Sequence, residues 1–110
     1  LREPKEAREY RMALNTEDFR PYGESVIAAL TDWVKAQEGV SLAGDNFEGV
    51  RVNFSPERGN GWCLLRMSLH EPLMPLNIES DDVGGVDKIT NELYPVLKGF
   101  DKLDTEKLRG

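Results

Sequence analysis

Apolar positions along the chain recur with two different periods. Tyr10, Met12 and Leu14 alternate with Glu9, Arg11 and Ala13, a period of two that predicts a half-buried strand closed at Thr16 or Asp18. From about Gly23 to Glu38 the spacing changes. Val26, Ile27, Leu30, Trp33 and Val34 fall three and four apart and predict a helix with one apolar stripe, ended by Gly39. Val40-Ser41-Leu42 adds a short strand and Gly44-Asp45-Asn46 a turn. Val50, Val52 and Phe54 then alternate with Arg51 and Asn53. The turn formers from Ser55 to Gly61 join that strand to one over Trp62 to Ser68, an antiparallel hairpin. Its second strand points Cys63, Leu65 and Met67 to one side and Trp62, Leu64, Arg66 and Ser68 to the other.

After a loop at Leu69-His70-Glu71-Pro72, the residues Met74, Leu76 and Ile78 mark a further strand. Val86, Ile89, Leu93, Leu97 and Phe100 trace a second helix that begins near Asp82, and Pro95 should kink or shorten it. The order is strand, helix, three or four strands, helix. It predicts an α+β domain, an antiparallel sheet of four to five strands with both helices on one face. The other face, with Arg66 and Ser68, is then left for a ligand or a partner. By this reading residues 1–5, charged and holding Pro4, are a linker, residues 6–100 the folded domain, and residues 101–110 a frayed polar tail.

Composition narrows the classes. The 110 residues are 39% hydrophobic and 31% charged, the balance of a soluble globular chain with room for one core. No apolar run approaches the ~20 residues of a membrane span, and no signal segment opens the chain, so no membrane partner and a cytoplasmic location are expected. A net charge of -6 with interspersed signs gives no basic face for nucleic acid. The single cysteine, Cys63, can form no internal disulfide and reads as a buried thiol. A chain that opens at Leu1 rather than Met is expected to be a piece of a longer protein.

Candidate chemistry concentrates in Arg66-Met67-Ser68-Leu69-His70-Glu71-Pro72. Arg66 and Ser68 share a strand face, and the chain then turns, so a guanidinium, a hydroxyl and loop amides can converge on one anion. Phosphate suits them, because it accepts a forked pair of bonds from arginine and more from hydroxyl and backbone donors. A solvated surface pair would have the same pattern. Elsewhere Glu79, Asp81 and Asp82 read as carboxylates at a helix start rather than a cation site. Gly59-Asn60-Gly61 and Gly84-Gly85 read as turns and a helix entry, not a nucleotide loop.

Gly49-Val50-Arg51-Val52, together with Gly61-Trp62 through Pro72, resembles the last domain of the α-D-phosphohexomutases, the phosphomannomutase/phosphoglucomutase family. There a glycine-valine-arginine strand and a glycine-tryptophan strand lead into a loop reading R-P-S-G-T-E-P or close to it. Leu76-Asn77-Ile78-Glu79-Ser80 corresponds to that domain's next strand, and the resemblance covers nearly the whole chain. It implies a fold similar to that of the TATA-box-binding protein.

It further implies an enzyme that interconverts hexose 1-phosphate and hexose 6-phosphate, with Mg2+ and a phosphoserine on upstream domains and neither in this chain. The loop would hold the phosphate not being transferred: Arg66 by its fork, Ser68 by its hydroxyl, Leu69 and His70 by backbone amides. His70 could also donate from its ring. The chain departs from the family pattern at Leu69, usually Gly or Asn, at His70, usually Thr, and at Met67, usually Pro. The implied partners are the hexose phosphate and the enzyme's other domains, and the isolated chain is expected to be inactive. A different class remains open, a small protein-interaction module that docks a partner on the exposed sheet face.

Overall fold

The computed structural model describes residues 3–43 and 49–110. The expected turn at Gly44-Asp45-Asn46 lies outside the described residues. Each alternating run forms a strand: β1 (Glu6–Ala13), β2 (Val40–Leu42), β3 (Gly49–Phe54), β4 (Gly61–Arg66) and β5 (Leu73–Ser80). They make one antiparallel sheet in the order β1-β5-β4-β3-β2. The two runs with helical spacing form α1 (Phe19–Lys35) and α2 (Gly85–Leu97). The expected α+β class, with an antiparallel sheet and two helices packed on it, is the observed one.

Alternation decides which face is covered. Tyr10, Met12, Val50, Val52, Cys63, Leu65, Met74, Leu76 and Ile78 project to one side and are buried with Val26, Leu30 and Val34 of α1 and Ile89, Leu93 and Leu97 of α2 in a single cluster. The register stacks these positions in rows, with Tyr10 opposite Leu76, Cys63 opposite Ile78, and Val52 opposite Cys63. Arg11, Arg51, Trp62, Leu64, Arg66, Asn77 and Glu79 hold the alternate positions. Among the described residues no helix covers that face.

The helices start elsewhere than expected. α1 begins at Phe19, ahead of Gly23, and takes Pro21 into its first turn, where a missing N–H leaves no intrahelical bond unmade. α2 begins at Gly85, after Gly84 in the left-handed region at φ 84. Its first amides are met by Glu6, whose carboxylate oxygens accept from Gly84 and Val86 at 3.0 and 3.1 Å. An acid of β1 therefore meets these amides, and Asp87 lies in the helix's own first turn. Asp82 instead accepts from the Asn60 amide at 3.1 Å, and its N–H donates to the Ser80 hydroxyl at 3.0 Å. α2 runs through Pro95 and ends at Leu97.

The expected frayed tail is corrected. Residues 101–110 turn back along β1: the Asn15 N–H donates to the Lys102 carbonyl at 2.7 Å and the Asp104 N–H to the Ala13 carbonyl at 2.9 Å. Leu103 and Leu108, 4% and 1% exposed, join the core, and a 3-10 turn over Glu106–Leu108 presents the second of them. Two leucines among eight other residues are too few to set up a helical or strand period, so the segment reads as polar although its apolar positions are buried. At the other end, the Lys5 N–H donates to the Ser80 carbonyl at 2.9 Å, so the expected linker is already tied to β5 there.

Candidate functional site

β4 and β5 are joined by the loop Met67–Pro72, and the end of the sheet places it. The Ser68 N–H donates to the Leu73 carbonyl at 2.9 Å and the Leu73 N–H to the Glu71 carbonyl at 2.8 Å, which closes the loop on itself. The Leu14 N–H donates to the Pro72 carbonyl at 2.8 Å, which ties the far side of the loop to the end of β1. Arg20, in the first turn of α1, donates from its guanidinium to the Leu69 carbonyl at 2.8 Å. Met67 is half-buried and packs against the core beside Gly23 of α1.

These constraints bring Arg66, Ser68, Leu69 and His70, the four residues singled out from the sequence, onto one open concavity of about 270 Å³. Arg11, Met67, Leu73 and Pro75 complete its lining. Arg66 and His70 are exposed, and Leu69 is 49% exposed. Neither the Arg66 nor the Arg11 side chain takes part in a hydrogen bond or ion pair with another described residue. In a chain of net charge -6 with 20 carboxylates, two guanidiniums that share a hollow and pair with no acid among the described residues form a local anion-attracting field. Leu69 and His70 leave their amides out of the backbone bonds of the loop, while Ser68 spends its own on Leu73. The residues that line the hollow thus carry guanidinium, hydroxyl and imidazole groups, with two loop amides outside the backbone bonds.

A proline shapes the floor. Leu65 pairs with Leu76, and the Ser68–Leu73 bond continues that register across the loop, so Arg66 stands opposite Pro75. Antiparallel bonding alternates, and Ser68–Leu73 occupies a hydrogen-bonded position, so Arg66–Pro75 does too. Pro75 has no N–H to give there. The ladder stops at the site because one bond cannot be made.

Arg11 and Arg20 were not among the residues singled out from the sequence. The alternation of β1 put Arg11 on the open face, but nothing local says that β1 lies next but one to β4. Arg20 precedes the apolar stripe of α1, in a turn the periodicity does not reach. Among the described residues no group of three or more His, Cys, Asp or Glu side chains could hold a metal ion. Also among the described residues, no helix is long and apolar enough to cross a membrane. Cys63 lies at the centre of the sheet, fully buried, and burial pushes its thiol up to about 12. No protein-family model matches the chain, and no curated protein is significantly similar to it.

Proposed function

We propose that this chain is the phosphate-gripping domain of a phosphohexomutase, which holds the substrate phosphate that is not being transferred while upstream domains carry out the chemistry. The observation that carries this reading is the convergence of Arg66, Ser68, Leu69 and His70 on one concavity. Arg66 offers its fork to two phosphate oxygens, the Ser68 hydroxyl and the His70 ring offer one bond each, and the free amides of Leu69 and His70 face the rest. The phosphoserine and Mg2+ that such an enzyme uses would sit on those other domains, and the open sheet face around Trp62 and Leu64 would meet them. The location that goes with this role is the cytoplasm.

An open, solvated site of this kind binds weakly, at millimolar level or about 4 kcal/mol in total. NMR titration of the chain with inorganic phosphate or glucose 6-phosphate should shift the Leu69 and His70 amides and leave the helices still, and the chain alone should turn over no hexose phosphate. Shifts spread over the open face around Trp62, or none at the loop, would favour a protein-interaction module instead.

A further inference from the structure

We propose that Arg11 is a second phosphate-binding guanidinium, and that with Arg66 it makes this hollow a site for the dianion of a phosphate monoester. The inference rests on the phosphate-binding reading above and adds a residue and a charge selectivity to it.

Strand order brings the two arginines together. β5 lies between β1 and β4, and Arg11 pairs with Pro75 in the β1–β5 register. Arg66 flanks the same Pro75 from the β4 side. All three side chains project to the open face, so the arginine backbones stand two strand spacings apart, about 10 Å. Between them lies a buried, compact proline ring rather than a long side chain. Both guanidiniums can therefore lean over Pro75 toward one point.

Charge says what belongs there. Two adjacent cations repel each other, and neither Arg11 nor Arg66 relieves this through an acid among the described residues. Glu9, two residues from Arg11 on the same face, and Glu71 in the loop are the nearest carboxylates in sequence, and neither lines the hollow. An anion between two forks makes charge-assisted bonds to both. A monoester dianion offers three terminal oxygens and two charges, whereas a phosphodiester offers two oxygens and one charge. The pair therefore favours a terminal phosphate, on a sugar or free in solution, over a phosphate within a diester.

Calorimetric titration of the full chain at about pH 8, well above the monoester's second pKa of about 6, tests this with four ligands: inorganic phosphate, methyl phosphate, glucose 6-phosphate and dimethyl phosphate. The expected result is that the three dianions bind and dimethyl phosphate does not. Arg11→Gln should weaken the dianions about 10-fold, the worth of one charge-assisted bond, and Arg11→Lys should recover only part of that, because a point charge replaces a fork. Arg11 is exposed and its side chain has no partner among the described residues, so an unchanged unfolding midpoint serves as the folding control. If Arg66→Gln abolishes binding while Arg11→Gln stays within about twofold of the parent, the role of Arg11 is overturned and the phosphate site stands. If the parent chain binds no dianion at tens of millimolar, both fall. Greater affinity for glucose 6-phosphate than for methyl phosphate would identify a sugar phosphate as the source of the anion.

Discussion

Arg20 and Leu69 are joined across 2.8 Å, guanidinium to carbonyl, and the bond links the first turn of α1 to the loop that carries the candidate site. It acts where the chain has leucine in place of the glycine or asparagine of the resembled family. A leucine backbone has fewer conformations than glycine, and the external bond holds the one in use. Arg20→Ala should loosen the loop and lower phosphate affinity about threefold to tenfold. It should cost less than about 1 kcal/mol of stability, because the bond is exposed. Titration paired with denaturant unfolding separates the two effects, and an unchanged affinity would show that the loop holds its shape without α1.

Gly23 faces Met67 so closely that an added methyl would run into the thioether sulfur. Alanine is the better helix former by about 1 kcal/mol, yet Gly23→Ala should destabilise the chain by roughly 1 to 3 kcal/mol through overpacking. It should also move the loop next to Met67. If Met67→Ala restores the double variant toward the stability of Met67→Ala alone, the clash is the cause. A Gly23→Ala chain as stable as the parent would mean that Met67 has room to swing away.

The buried leucines of residues 101–110 give the strongest stability test. Leu108 is 1% exposed, so Leu108→Ala should cost about 2 to 5 kcal/mol, read from urea unfolding, and deletion of residues 101–110 should cost more. A change below about 0.5 kcal/mol is what a frayed tail would give.

Cys63 yields a pH dependence with a definite sign. Its folded thiol is pushed up to about 12 from an ordinary value of 9.0, so the unfolded chain releases this proton first. Below pH 9.0 the group leaves stability unchanged, and between there and about 12 its contribution declines. The stability difference between the parent and Cys63→Ala, measured by urea unfolding at several pH values, should shrink over that window. Thiol reagents should label the parent only as it unfolds, and rapid labelling of the folded chain would place Cys63 outside the core.

What the sequence determined by itself was whatever repeats within a few residues. A strand shows alternate side chains to opposite faces and a helix shows every third or fourth to one, so β1, β3, β4, β5, α1 and α2 were legible from where Val, Leu, Ile and Met fall. The loop from Arg66 to Pro72 was legible for the same reason, since its donors are neighbours in the chain. Only the tertiary structure decided the rest. Arg11 and Arg66 line one hollow because β5 pairs with both β1 and β4, a strand order that joins residues more than fifty positions apart and that no local period encodes. Glu6 caps α2, and Arg20 holds Leu69, across similar separations. Leu103 and Leu108 are core residues only because β1 and α2 leave apolar surface for them to cover. Pro75 sits in a central strand, where a sequence argues against proline, because the single N–H it lacks falls at the position where the ladder ends and the site begins.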